Sequence, residues 1–339
     1  MSFYQLARMG NVKKFHQSLK QIAEKENRSY LVLGCTFALD LLRFRCGFAD
    51  FLNYRFYDLS AKEKKEYVSA GDQDWFYETF NPAEYKEFFT VKPNFLRNFS
   101  AYISRDFFVP GRQEDDLAAL TEFLKKHTTF IVKPLNGLAG QDVHKESADR
   151  LSSPEEWLSY LKDENFFAEE LICQHPAVAA FNPASVNTIR IMTFCEGGES
   201  RVLYAGMRIG CGDAGVDNFH QGGMGVLVDL ESGRLVGNAV NKNLEWFTHH
   251  PVSKIAFDGF QIPHWQKILD TVLEAAKVNP HIHLVGWDVA VTPEGCTFVE
   301  GNRRAGFDLV QMTSRRGRKD IFRSCLEEIN RKRGTNYRL

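Results

Sequence analysis

A chain of 339 residues, 44% hydrophobic and 25% charged, is long enough for two packed units and ordinary in composition for a globular protein. Its net charge of -1 supplies no bulk attraction to nucleic acid, which excludes that partner class on composition. Seven cysteines, odd in number and without a CxxC pair, predict reduced thiols and a cytoplasmic protein, and no apolar leader core follows Lys13 and Lys14.

Residues 1–90 read as helical and aromatic, with apolar residues three and four apart in NVKKFHQSLKQIAEKE and in FALDLLRFRCGFADFLNYRFYDLSAKEKKEYV. The 28 phenylalanines gather toward this third, where they predict core or interdomain packing. YLVLGCTFAL is the most apolar early stretch; it stops at Asp40, short of the roughly 20 residues that span a bilayer. VKPNFLRNFSAYISRDFF and LAALTEFLKKHTT predict two amphipathic helices. FIVKP predicts a strand, followed by a turn bearing Gly137 and Gly140 and a second strand from about Asp142. SPEEWLSYLKDE predicts a helix opened by a capping box of Ser153 and Glu156. FFAEELICQHPAV reads as a strand that continues through Leu171 and Ile172 before it turns. SVNTIRIMTF, RVLYAGMRIG and GVLVDLESGRLVG supply further strands, and PHWQKILDTVLEAAKVN a helix. The whole predicts an α+β fold with mostly antiparallel strands joined by hairpins.

The last hairpin, GWDVAVTPEGCTFVEGN, raises a question of charge. With Pro293-Glu294-Gly295 as a three-residue loop and Gly295 left-handed, Thr292 pairs with Cys296 and Asp288 with Glu300. Opposed carboxylates, about 5 Å apart, repel unless one holds a proton, a basic side chain lies between them, or a cation bridges them. Asn302 falls on the same face as Glu300. Two carboxylates and an amide oxygen are hard donors, suited to Mg²⁺ or Mn²⁺; the plainer reading is two surface acids.

Other groups could meet anions. Lys133 in an apolar strand demands a partner, and a polyphosphate would serve, with backbone N–H groups at Gly137 and Gly140 close to its oxygens. The spacing matches neither a P-loop nor a dinucleotide fingerprint. Glu169 and Glu170 point to opposite faces of their strand, whose backbone could read an adenine edge while a carboxylate holds ribose hydroxyls. Arg190 and Arg208, on neighbouring strands, suit phosphate or carboxylate. His220 reads as an ordinary loop histidine. RRGRK (Arg315 to Lys319) and RKR (Arg331 to Arg333) read as a solvated helical face, with peripheral attraction to anionic membrane as the weaker alternative.

Taken together, these pieces resemble the ATP-grasp superfamily across roughly residues 91–312. The resemblance implies ATP held between two α+β lobes, with a helical region of residues 1–90, a nucleotide-binding lobe of 91–172 and a catalytic, metal-binding lobe of 173–339. Lys133 matches the phosphate-contacting lysine, and Ala168 to Leu171 match the hinge that reads adenine and ribose. Asp288, Glu300 and Asn302 match the magnesium triad. NTIRIMTF, AGMRIG and DNFHQGG are similar to a series in the glutamate-adding ligases and implicate Arg190, Arg208 and Asn218. SVNTIRIMT, VDNFHQGG and VGWDVAVTPEG…VEGN, with FLNYRFYDLSAKEKKEYV, are similar to the sugar-transfer-associated ATP-grasp family. In it Lys92 and Arg105 would lead into the nucleotide lobe, Lys92 as a second nucleotide-contacting lysine.

The reaction so implied is an ATP-dependent carboxylate–amine or carboxylate–hydroxyl ligase acting through an acylphosphate. Its substrate would be a small molecule or glycan bearing a carboxylate, and its setting cell-surface polysaccharide biosynthesis. Arg303, next to the triad, could hold the incoming carboxylate. A kinase acting on a sugar or polyol hydroxyl is the alternative, and a catalytically silent nucleotide-binding protein the third reading.

Overall fold

The protein is described by a computed structural model that covers residues 12–135, 142–212 and 223–338. Two antiparallel sheets organise it. The smaller has the order β1-β4-β2-β3, from β1 (Phe107–Phe108), β2 (Thr129–Pro134), β3 (His144–Ser147) and β4 (Phe166–Glu170). Helices α6 (Asp116–Lys126) and α7 (Pro154–Asp163) bury Leu120, Phe123, Trp157 and Leu161 against Phe130, Val132 and Ala168. The Ser153 hydroxyl caps α7 by accepting from Glu156 N, but the Glu156 carboxylate reaches back to Ser152 N, one residue before the expected partner.

The larger sheet has seven strands in the order β11-β10-β5-β6-β7-β8-β9. They are β5 (Thr188–Glu196), β6 (Glu199–Ile209), β7 (Met224–Val228), β8 (Leu235–Asn241), β9 (Trp246–Phe247), β10 (Leu284–Thr292) and β11 (Gly295–Asn302). On one face α8 (Trp265–Ala275) lays Ile268 and Val272 over Ile191, Val285, Trp287 and Val289. Each such aliphatic side chain contributes about 1.5–3 kcal/mol by leaving water. The other face is covered by α4 (Ala70–Phe80), α9 (Asp308–Ser314) and α10 (Lys319–Arg333), through Phe76, Phe80, Phe307, Val310, Phe322 and Ile329.

The helical N-terminal region is as expected. Helices α1 (Val12–Lys25), α2 (Tyr30–Phe44) and α3 (Phe48–Asn53) meet in a phenylalanine core, with Phe15 stacked on Phe48 at 3.8 Å between centroids. That core reaches Val240 and Met312, so the region packs onto the large sheet and α9. No helix among the described residues is long and apolar enough to cross a membrane, and all seven cysteines are free.

Three expectations are corrected. The predicted helix over VKPNFLRNFSAYISRDFF is only α5 (Lys92–Asn98); a single 3-10 turn follows, and Phe107 and Phe108 pair with β4 instead. Tertiary pairing with the exposed edge of β4 overrides the helical spacing there. β4 ends at Glu170, so Leu171 and Ile172 do not continue it. The last hairpin turns on two residues: Thr292 pairs with Gly295 and Val291 with Cys296. A bulge at Val299 then restores the offset, and Asp288 still faces Glu300.

Candidate active site

One row of residues crosses four strands: Glu300 on β11, Asp288 on β10, Arg190 on β5 and Gly206 on β6. Alternation sends Trp287 and Val289 into the core beneath α8 and Asp288 to the opposite face. Two glycines clear that face. A Cβ at Gly286 would stand 2.3 Å from that of Ala305, and one at Gly206 would stand 2.8 Å from the Leu309 side chain.

Neither guanidinium lies between the opposed carboxylates: Arg190 and Arg208 neutralise Asp288 from its far side, while a side-chain hydrogen bond joins Asp288 to Glu300. Arg190 grips Asp288 with a two-pronged fork, its Nη2 donating to Oδ2 at 2.8 Å and its Nε to Oδ1. Arg208 adds a third donor to Oδ2 at 2.9 Å. Burial alone would raise the Asp288 carboxyl, but the two guanidinium charges overcome it and hold the group well below the usual carboxylate range. Glu300 moves the other way. Loss of hydration, and then the Asp288 charge, raise it, although its side chain remains exposed on one side. Asn302 steadies it by donating from Nδ2 to Glu300 Oε1 at 2.8 Å.

The small sheet brings its own charges. Lys133, on β2, forms an ion pair with Glu169 on β4, and Arg105 grips the other Glu169 oxygen at 3.0 Å. Burial pushes the Glu169 carboxyl up, but Arg105 and Lys133 outweigh it and bring it down to about 2. Arg105 also donates to Phe298 O at 2.6 Å, so it joins the small sheet to the strand that carries Glu300. Lys92, at the start of α5, is half-buried, and its pKa is lowered by desolvation and then by the Lys133 charge. Glu300 and Glu169 partly compensate, so Lys92 feels acids from both sheets. Two ammonium groups set against each other are the kind of arrangement an anion relieves.

Of the residues singled out from sequence, Lys133 and Glu169 therefore stand on the small sheet and Asp288, Glu300, Asn302, Arg190 and Arg208 on the large one, with Lys92 on α5 within reach of charges from both. Glu170 turns outward, its carboxylate accepting from Asp106 N at 2.9 Å, near His127. Leu171 follows β4 in irregular chain. Arg303 is buried and donates to Asn81 O at 2.7 Å, on the side facing α4. Gly137, Gly140, Asn218 and His220 lie outside the described residues. The basic C-terminal segments are largely engaged: Lys319 with Asp72, Arg333 with Glu196, Lys332 with Glu199, and Arg315 over the Trp246 ring.

Sequence reading missed the residues that shape the loop after β11. The Tyr77 hydroxyl donates to Ala305 O, Tyr204 to Gly306 O at 2.8 Å, and Asn81 Nδ2 to Arg303 O. Only Asn81, placed before Pro82 at the end of α4, carried a local signal, that of a helix terminus.

Three oxygen side chains with no sulfur or imidazole among them fit a hard divalent cation such as Mg²⁺. Glu300 and Asn302 are the members best placed to hold one, because Asp288 already gives both oxygens to arginine.

The fold is that of an ATP-grasp protein. The sequence pattern of the sugar-transfer associated ATP-grasp family matches residues 100–325, well over half of the chain, and the chain belongs to that family. No curated protein sequence matches it. Among solved structures, the ATP-grasp ligase PsnB, complexed with a minimal precursor, Mg and ADP, is 15% identical, with 82% of this chain and 71% of that one covered and a TM-score of 0.42. The D-cycloserine synthetase DcsG is 13% identical, covering 77% and 80% at a TM-score of 0.41. The D-alanine-D-alanine ligase from Coxiella burnetii is 11% identical, covering 73% and 62% at 0.37.

Proposed function

We propose that this protein is an ATP-dependent ligase that joins a carboxylate to an amine or hydroxyl acceptor through an acylphosphate, with a glycan or small-molecule substrate of cell-surface polysaccharide synthesis. The observation that carries the reading is that Lys92, at the start of α5, lies within electrostatic reach both of Lys133 and Glu169 on the small sheet and of Glu300 on the large one, where Glu300 faces Asp288. A polyphosphate with its cation satisfies both sides at once.

In this reading residues 91–172 form the nucleotide lobe, 173–339 the catalytic lobe and 1–90 the helical region. Lys92 and Lys133 hold phosphate oxygens, Lys133 turning from Glu169 to do so, with the turn of Gly137 and Gly140 beside them. The backbone from Glu169 to Leu171 meets the base. Bound Mg²⁺, or Mn²⁺ in its place, would supply charge neutralisation as negative charge shifts onto ADP. Glu300 and Asn302 would hold it, with Asp288 joining by giving up an arginine contact. The substrate carboxylate attacks the γ-phosphorus, the bond to the ADP oxygen breaks, and the acceptor then displaces phosphate from the acyl carbon. Arg190, Arg208 and Asn218 steady the transferring group. Arg303 acts through its backbone in the loop that follows Asn302, a change from the substrate-binding role its sequence position suggested.

The test is ADP release with Mg²⁺, ATP and hydroxylamine against amino acids, hydroxy acids and uronic acids. A hydroxamate supports the ligase and names the carboxylate. ADP with a stable phosphoester and no hydroxamate would replace it with the kinase, and no turnover on any substrate would favour the silent nucleotide-binding protein.

A further inference from the structure

Helix α2 is apolar on both sides, yet only one side is covered by the described residues. Leu33 and Phe37 enter the phenylalanine core, and Asp40 points inward to a buried ion pair with Lys64. The outward face carries Leu31, Val32, Cys35, Ala38, Leu39 and Leu42, without a charged side chain among them. Leu31 and Leu42 are each 75% exposed, Leu39 66% and Val32 62%. That is on the order of 500 Å² of aliphatic surface in one ridge, more than a solvated helix has reason to show.

The rim of the ridge is basic. Residues 12–45 hold seven lysines and arginines against three acids. Of those acids, Asp40 is neutralised inside and Glu26 is bound by Arg28 and Arg55. Arg43 borders the same groove as Leu39 and Leu42, Lys13 lies beside Tyr30, and Arg45 ends the helix in a left-handed turn.

We propose that this ridge docks the protein on an anionic lipid bilayer, with α2 lying in the plane of the surface. Leucines would enter the acyl boundary while Lys13, Arg43 and Arg45 meet lipid phosphates. Three observations select lipid over a second copy of the chain. The ridge falls short of the about 800 Å² per partner that a stable dimer needs. Two copies meeting on it would set basic rim against basic rim. Its 15 residues, about 22 Å of helix, are too short to span a bilayer but long enough to lie along one. The C-terminal basic segments, with Lys319, Lys332 and Arg333 engaged by acids and Arg315 by the Trp246 ring, carry no such apolar ridge. The inference stands apart from the ligase reading and survives its failure.

The experiment is flotation of the full chain with phosphatidylcholine vesicles, with and without phosphatidylglycerol, at low and high salt. The wild type is expected to float with the mixed vesicles and to be released by salt. Leu39→Asp/Leu42→Asp is expected to lose at least about tenfold in vesicle affinity with its circular dichroism unchanged, since both side chains are already in water. Arg43→Gln, which leaves the ridge intact, is expected to weaken binding to the mixed vesicles alone. The milder Leu31→Ala/Leu42→Ala serves if the aspartate variant misfolds. A wild type that ignores mixed vesicles, or a folded leucine variant that floats equally well, overturns the proposal. So does a dimer in light scattering that the leucine variant disperses, which would assign the ridge to a second copy.

Discussion

Replacing Arg105 with methionine tests how the two sides of the site are held together. Arg105 and Glu169 are buried to within 2% and 3% of full enclosure, and the arginine is also bonded to Phe298 O. Removing it leaves the Glu169 carboxylate with Lys133 alone and strips a donor from a buried carbonyl. Loss of one member of a buried pair costs about 3–5 kcal/mol. Arg105 Nε, however, is itself buried without a hydrogen-bond partner among the described residues, and methionine removes that penalty. The low end, about 3 kcal/mol, is therefore expected, a loss of roughly a hundredfold in the folding equilibrium. Urea unfolding followed by tryptophan fluorescence measures it. In a cycle with Glu169→Gln, the double variant should lose at least about 1 kcal/mol less than the sum of the single ones. A cost for Arg105→Met below about 1 kcal/mol, or additivity within about 0.5 kcal/mol, would refute the argument.

Glu300→Gln should keep the fold and lose ATP turnover, whereas Asp288→Asn should lose turnover and stability together because it leaves Arg190 and Arg208 facing each other; ADP release and a melting curve separate the two. Glu169 has a folded pKa of about 2 against an ordinary 4.5, so its stabilisation is complete above pH 4.5 and disappears as pH falls from there toward 2. Acid unfolding should steepen in that window, and Glu169→Gln should flatten it. Because the Glu300 carboxyl is raised, protons compete with the cation at that oxygen, and Mg²⁺ affinity by calorimetry should fall as pH drops toward its pKa. Gly286→Ala forces a methyl against Ala305 and should cost about 1–3 kcal/mol, with a shifted loop after Asn302 visible as weaker Mg²⁺ binding.

The facing of Asp288 and Glu300 was legible in the alternation of VAV against TFV, but by compensating errors. The loop is one residue shorter than Pro293-Glu294-Gly295 suggested, and the bulge at Val299 returns the missing residue before the site is reached. Nothing local in TFVEGN announces a bulge, since it is fixed by what packs on both faces of β11. Lysine and arginine positions were readable as charges in need of partners. Their actual partners were not, because Asp288 and Arg190 are 98 residues apart and Arg105 and Glu169 are 64 apart. Arg303 stood beside Asn302 in sequence, but it lies in the turn after β11, where its side chain runs to Asn81.

Asn81 has a consequence for how the chain must be made. Its one side chain donates to Leu284 O and Arg303 O and accepts from His283 N and Leu284 N, so it joins the start of β10 to the end of β11. Gln311 repeats the device, bonding both backbone groups of Val68 from 243 residues downstream. At translation rates of about 5–20 residues per second, α4 emerges from the ribosome roughly 10–40 seconds before the strands that complete it. Through that interval Phe76 and Phe80 lack Leu284, Phe307 and Phe322, which complete their packing. The helical region should therefore be the part of the nascent chain that chaperones hold longest, and a fragment ending before β10 should be insoluble when expressed alone.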